Sequence, residues 1–306
     1  MSIHNAVNTL HTADDLHVYF IPLNAELTSA DFDMGLALGW LSPDEVAKVE
    51  RYKSQSSRHN ALQVRLALRA ILSRHSDVAP AQWQFTYGAK GKPALSDELF
   101  ASTGLHFNLS HSGKWLMIGV IEASQYSISD APALTSGMFF GVDIERERSS
   151  TDIVPILHHY FTQAETDTLL QLPIELQRQR FFDLWAVKES YIKARGLGLA
   201  LSLKSFSVDF SQAVCCDAKL KRANKSTRLI EMFKPIQLNF TDNQDTMASD
   251  YYWQTLLGRL DNEYRFSITL GSANLVFSSA AVQAHSIYNT LSCMQLTLDD
   301  LFSART

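Results

Sequence analysis

One order of apolar patterns occurs twice along this chain: a strand, then helices, then several strands. The first copy opens with LHVYFIPL, Leu16 to Leu23, rich in β-branched and aromatic residues and stopped by Pro22. SPDE, Ser42 to Glu45, then predicts a helix start. Serine stands as N-cap, proline at the first helical position and glutamate at the third, so side chain and backbone cap each other. The next helix is predicted from Ser57 to His75. Val64, Leu68, Ile71 and Leu72 form its buried face, and Arg58, Arg65 and Arg69 fall on another stripe. Trp83 to Tyr87, Leu105 to His111 and Trp115 to Ala123 read as strands, the last two joined by the turn at Ser112, Gly113 and Lys114.

The stretch from Ser124 to Gly137, rich in Ser, Ala, Pro and Thr, is the predicted boundary. MFFGVDIE after it reads as a strand, and FTQAE, with Thr162 and Glu165, as a second capping box. A long helix is predicted from Glu175 to Arg195, stopped at Gly196. Strands at Phe206–Phe210, Tyr264–Leu270 and Asn274–Val282 complete the second copy. We therefore expect two domains, residues 1–130 and 131–306, the second carrying a C-terminal extension. The halves share no evident sequence identity, so duplication rests on element order alone. A cleft between two such halves is the natural binding site.

A chain of 306 residues, 46% hydrophobic, can bury a substantial core. Its three cysteines, Cys215, Cys216 and Cys293, have no CxxC spacing and make no disulfide framework, which suits a reducing cytoplasm. The N-terminal MSIHNAVNTLHTADD has no basic region followed by an apolar one, and no apolar run reaches the ~18 residues needed to span a bilayer. Neither export nor a membrane anchor is expected. The net charge is −5, yet between Lys48 and Arg74 seven basic residues face one acid, Glu50. Local positive potential on an acidic protein suits a confined anionic partner better than a nucleic-acid track, although solvated helix faces read the same way.

Three segments could carry chemistry. In FFGVDIERE, Phe140, Val142 and Ile144 alternate with Gly141, Asp143 and Glu145, so one strand face would carry both carboxylates. Adjacent carboxylates repel unless water or a shared cation separates them, and oxygen ligands of this kind suit Mg²⁺. LWAVKESYIKARG places Trp185, Glu189 and Lys193 on one helix face, near a stripe that includes Lys188. A Glu-to-Lys pair four apart is also an ordinary helix salt bridge worth only ~0.3–0.5 kcal/mol. FNLSHSG sets His111 between Ser110 and Ser112; the GxSxG elbow of hydrolases is absent, and a turn of this kind can donate to phosphate oxygens or be purely structural. GAKGKPAL, Gly88 to Leu95, reads first as a turn and second as an anion contact through Lys90 and Lys92.

GKP at 91–93, FNLSHSG at 107–113, GVDIE at 141–145 and LWAVKESYIKARGLGLAL at 184–201 stand in the order and approximate spacing of the Sfp-type 4′-phosphopantetheinyl transferases, which the chain resembles from about Leu41 to Phe210. SPDEVAKVERY at 42–52 is similar to their early helix. The resemblance implies an α+β fold of two similar α/β halves related by a pseudo-twofold, with the active site between them. It implies Mg²⁺-dependent transfer of 4′-phosphopantetheine from coenzyme A to a serine of an apo acyl or peptidyl carrier protein, releasing adenosine 3′,5′-bisphosphate. Asp143, Glu145 and Glu189 match the Mg²⁺ carboxylates. Glu189 also matches the general base, and Lys193 the cation beside the pyrophosphate. Ser110 and His111 correspond to groups on the coenzyme A phosphates, Lys92 to the GKP lysine, and Trp185 to a packing residue of the helix.

Departures from the pattern have consequences. Relatives carry basic residues where this chain has Glu45 and Asn60, so recognition of the 3′-phosphate is expected to shift to Lys48, Arg51 and Arg58. The linker 124–137 is longer than usual, and the chain beyond Leu270 reads as an extension. The basic run Ala218 to Arg228 reads as an exposed hairpin or as a surface for an acidic carrier. A monomer is expected, with no nucleic-acid or membrane partner. Two other classes fit the same carboxylates: a Mg²⁺-dependent nuclease, which would need a continuous basic surface, and a non-catalytic module binding coenzyme A or a carrier protein.

Overall fold

The computed structural model describes residues 16–23, 29–37, 39–122, 138–241, 248–273, 287 and 291–303. The predicted linker and the strand expected at Asn274–Val282 lie outside them. The first half runs β1 (Leu16–Pro22), α1 (Ser29–Ala37), α2 (Pro43–Glu50), α3 (Gln55–Leu72), β2 (Phe85–Tyr87), β3 (Pro93–Leu95), α4 (Asp97–Thr103), β4 (Leu105–Ser112) and β5 (Trp115–Glu122). The second runs β6 (Met138–Arg146), α5 (Ile153–Tyr160), α6 (Gln163–Leu170), α7 (Ile174–Arg195), β7 (Phe206–Asp209), β8 (Val214–Arg222), β9 (Thr227–Phe240), β10 (Tyr251–Arg259) and β11 (Tyr264–Ala273). β12 (Leu291–Gln295) and α8 (Leu298–Ser303) follow.

The capping chemistry forms as the sequence dictates. Ser42 and Glu45 bond reciprocally at the start of α2, Thr162 and Glu165 at the start of α6, and Gly196 ends α7 at φ +67°, where a β-carbon would be strained. Glu45 does more than cap. It is buried, and its carboxylate lies 2.5 Å from Arg69, which also donates to the carbonyls of Pro80 and Trp83. That position is closed to a ligand.

The two halves repeat one topology. In the first, β5 pairs antiparallel with both β4 and β1; in the second, β11 pairs antiparallel with both β10 and β6. All belong to one sheet ordered β4-β5-β1-β12-β8-β9-β10-β11-β6, with β7 paired to β9. The architecture is thus α+β, in two similar halves. β12 is parallel to β1 on one side and to β8 on the other, so a late strand splices the halves edge to edge. The Ala218–Arg228 run forms the end of β8 and its turn into β9, as the hairpin reading expects.

Strand alternation distributes the core. Leu16, Val18 and Phe20 of β1 join Val142 and Ile144 of β6 and Phe266 and Ile268 of β11 in one cluster between the halves. Tyr19 and Ile21 face the other way, onto Leu68 and Ile71 of α3. In the second half α5, α6 and α7 pack over β7, β9 and β10. The sheet curls enough that its two end strands, β4 and β6, meet through side-chain hydrogen bonds.

Candidate active site

Because β6 alternates, its inward residues leave Gly141, Asp143 and Glu145 facing α7. The helix comes very close here. A β-carbon on Gly141 would lie 2.1 Å from the Ser190 carbonyl oxygen and 2.3 Å from the Ala194 nitrogen, an approach only glycine permits. Glu189 and Lys193 are the immediate neighbours of those two contact residues, so the glycine is what brings their stretch of helix down onto Asp143.

The other wall comes from β4. As the last strand of the sheet, β6 leaves backbone groups unpaired along its free edge, and these must find partners when buried. Asn108 Oδ1 accepts from the Val142 N–H at 2.9 Å, and Ser112 Oγ accepts from the Arg146 N–H at 3.2 Å. Lys92 Nζ donates to the carbonyls of Phe140 at 2.9 Å and Ala194 at 3.0 Å. Burial lowers the pKa of Lys92 to about 8. Expected as the GKP lysine among the coenzyme A contacts, Lys92 here ties the β2–β3 hairpin to β6 and to the C-terminal turn of α7.

The same β4 face holds the carboxylates. Ser110 Oγ donates to Asp143 Oδ1 at 2.9 Å, and Ser112 Oγ donates to Glu145 Oε2 at 3.0 Å. Lys193 reaches across the seam, its Nζ 2.5 Å from Asp143 Oδ1 and 2.7 Å from Ser110 Oγ. Asn108 and Ser112 were not among the expected site residues, although period-two alternation puts both on the face that carries Ser110.

Electrostatics marks the crevice as unusual. Burial, then the charge of Asp143, raises Glu145 to about 7; Ser112 and Lys193 pull it back in part. Burial and Asp143 likewise raise Glu189 to about 7 against the opposing effect of Lys193. His111 lies on the exposed side of β4, yet partial burial and then the charge of Lys193 lower its pKa. The neighbouring Lys188 is a different kind of residue. It is fully buried, its Nζ donates to the carbonyls of Leu203 and Phe206 at 2.7 Å, and it lies 2.9 Å from Glu165. Trp185 packs among Tyr160, Phe161 and Phe181. One turn of α7 therefore carries a structural lysine and a carboxylate of raised pKa side by side.

The carboxylates of Asp143, Glu145 and Glu189 are oxygen donors of the kind that a hard divalent cation such as Mg²⁺ takes, and Asp143 Oδ2 is buried without a hydrogen-bond partner. Among the described residues, no three His, Cys, Asp or Glu side chains are drawn together into a metal-sized cluster. The ammonium of Lys193 supplies positive charge at Asp143.

Beside the carboxylates, further along the β4–β6 seam, opens a cavity of about 670 Å³ whose lining includes Tyr87, Lys92, Phe100, His106, Phe139 and Arg195. Lys48 Nζ stands 4.3 Å from the centre of the Tyr87 ring, at the rim of this space. Arg51 and Arg58, expected to join it, do not line the cavity: Arg51 is the C-cap of α2 and Arg58 lies in the first turn of α3.

Residues 139–246 match the 4′-phosphopantetheinyl transferase superfamily, and residues 28–123 match the 4′-phosphopantetheinyl transferase N-terminal family. The two matches fall one on each half. The chain is 33% identical to 4′-phosphopantetheinyl transferase HetI of Nostoc sp., over 61% of this chain and 71% of that one. To 4′-phosphopantetheinyl transferase Sfp of Bacillus subtilis it is 30% identical, over 57% and 69% respectively. A mouse L-aminoadipate-semialdehyde dehydrogenase-phosphopantetheinyl transferase is 26% identical over 58% of this chain and 55% of its own. Among the described residues no helix is long and apolar enough to cross a membrane. With both halves matched, and the carboxylate crevice formed where they meet, the chain belongs to the 4′-phosphopantetheinyl transferase superfamily and is a transferase of that kind.

Proposed function

We propose that this enzyme transfers 4′-phosphopantetheine from coenzyme A to a serine hydroxyl of an apo acyl or peptidyl carrier domain. Adenosine 3′,5′-bisphosphate leaves. The observation that carries this reading is the meeting of Asp143, Glu189, Lys193 and Ser110 at the seam between the two matched halves.

A serine hydroxyl is a weak nucleophile at neutral pH, so its proton needs an acceptor. Glu189, held near neutrality by burial and by Asp143, is matched to that task in its ionised form. The serine oxygen forms a bond to the phosphorus bearing pantetheine, the bond from that phosphorus to the bridging oxygen breaks, and the electron pair leaves with the adenosine bisphosphate. Lys193, by exchanging Asp143 for a phosphate oxygen, offsets the charge gathering on the leaving group. Asp143, Glu145 and Glu189 would hold Mg²⁺, which supplies Lewis acidity toward the diphosphate. Ser110, on the seam face of β4, and the exposed His111, beside it on the opposite face, are our candidates for donors to phosphate oxygens. We assign the nucleotide end of coenzyme A to the aromatic cavity, with Lys48 at its rim near the 3′-phosphate. Arg51 and Arg58 remain candidates for that phosphate from outside the lining.

The test mixes the protein with coenzyme A, Mg²⁺ and a panel of apo carrier domains and reads the carriers by mass spectrometry. Addition of the phosphopantetheine arm to one serine is expected; unmodified carriers throughout, with coenzyme A bound, would make the chain a binding module instead.

A further inference from the structure

We propose that Ser112 is a positioning residue of the active site, holding the Glu145 carboxylate in the orientation in which it faces a divalent cation. This rests on the assignment of Glu145 to the cation site made above. The hydroxyl of Ser112 is engaged in both directions within the protein: it accepts from the Arg146 N–H at 3.2 Å and donates to Glu145 Oε2 at 3.0 Å. An accepted backbone bond fixes where the hydroxyl sits, and the donated bond then fixes one carboxylate oxygen. The side chain is buried.

Ser112 is itself anchored. It closes β4 and pairs with Trp115 across a tight turn. Gly113 in that turn has φ +56°, and a β-carbon there would lie 2.3 Å from the Tyr264 hydroxyl, which accepts from the Lys114 N–H at 3.0 Å. Tyr264 is wholly buried. A chain of contacts thus runs from a rigid core aromatic through the turn to the serine and on to the carboxylate. Ser110, two residues back along β4, differs: its hydroxyl also accepts from the partly exposed ammonium of Lys193, so a phosphate can replace that partner. Glu145, partly buried at the sheet edge, has one hydrogen-bonded carboxylate oxygen among the described residues, the one held by Ser112. Groups that orient a metal ligand in this way typically govern affinity or activity by ~10–100-fold.

The experiment measures Mn²⁺ binding to the free enzyme by electron paramagnetic resonance, with transfer kinetics and thermal melting beside it, for the parent, Ser112→Ala, Ser112→Thr and Glu145→Gln. Ser112→Ala is expected to bind Mn²⁺ ~10-fold more weakly and to lose kcat with little change in the carrier KM, while Ser112→Thr, which keeps the hydroxyl, recovers most of both. Should Ser112→Ala fold poorly, Ser112→Cys keeps the volume with a weaker donor and is expected to show the same loss. Parent-like Mn²⁺ affinity in Ser112→Ala, with affinity lost in Glu145→Gln, would overturn the positioning role alone. Parent-like affinity in Glu145→Gln would instead remove Glu145 from the cation site, and this proposal with it.

Discussion

The two halves of the molecule meet twice, in opposite ways. On one side β12 lies between β1 and β8 and joins them by parallel backbone pairing, with Val18 opposite Cys293 and Cys293 opposite Leu220. On the other side β4 and β6 meet through side chains: Asn108, Ser110 and Ser112 on one strand against Val142, Asp143, Glu145 and Arg146 on its counterpart. A backbone ladder satisfies every polar group with little regard to residue type and leaves no space. A side-chain ladder holds the edges further apart, and each rung can be a hydroxyl, an amide or a charge. The difference teaches that the groups to which we assign the reaction belong to the seam that the backbone leaves open.

The largest effect is expected where the open seam carries chemistry. Glu189→Gln should lower transfer by ~10²–10⁴-fold while the protein melts no lower than the parent, because the removed carboxylate is one that burial already disfavours. Near-normal turnover would take Glu189 out of the mechanism. Next comes the approach of α7. Gly141→Ala forces a β-carbon into the Ser190 carbonyl and Ala194 nitrogen, so Glu189 and Lys193 must retreat from Asp143; displacement on the ~1 Å scale costs ~10²-fold in rate. Transfer kinetics that match the parent would show the helix position to be unimportant.

Titration sharpens the comparison, since among the described residues the carboxyls raised to about 7 from an ordinary 4.5 lie in the open seam. Between those values the folded chain binds more protons than the unfolded one. The contribution of Glu145 and Glu189 to stability is therefore full below 4.5 and lost as pH rises through 7. His111, lowered by burial and Lys193, contributes in the opposite direction, so the parent and Glu189→Gln are compared. Without divalent cation the two should melt together below pH 4.5, with the variant higher above pH 7. Equal melting at both ends would mean the carboxylate is not under strain. The smallest effect belongs to the closed seam. Lys221 and Arg222 sit at the end of β8, paired with Met294 and Gln295 of β12, far in strand order from β6. Reversing both charges should leave the carrier KM within about twofold, as surface charges screened by salt do; a large rise would reopen that hairpin as a docking surface.

Local signals were legible wherever neighbours in sequence are neighbours in space. The capping boxes at Ser42 and Thr162, the stop at Gly196, and the alternation that turned Asp143 and Glu145 away from Val142 were all readable. α1, α4 and α5 were not foreseen, nor were β10 and β12 or the full extent of the β8–β9 hairpin. The rows of alternating small and polar residues in VCCDAKLKR and LSCMQ carry weak strand signals, and pairing alone decides them. Lys193 shows the same limit: its spacing from Glu189 allowed an ordinary helix salt bridge, whereas its short bonds run to Asp143 on β6 and to Ser110 on β4 of the other half.

Residue order, through periodicity and caps, determined which segments are helices and strands, which face of β6 bears carboxylates, and that the pattern is doubled. Only the folded chain decided that Lys92 clamps carbonyls, that Glu45 is sealed against Arg69, that β12 splices the halves, and that Ser112 grips Glu145. Each of these depends on partners 24 or more residues apart, brought together by helix packing or by the pairing and curl of one sheet. Spacing along a chain encodes local geometry, whereas burial and long-range pairing exist only once the whole core has formed.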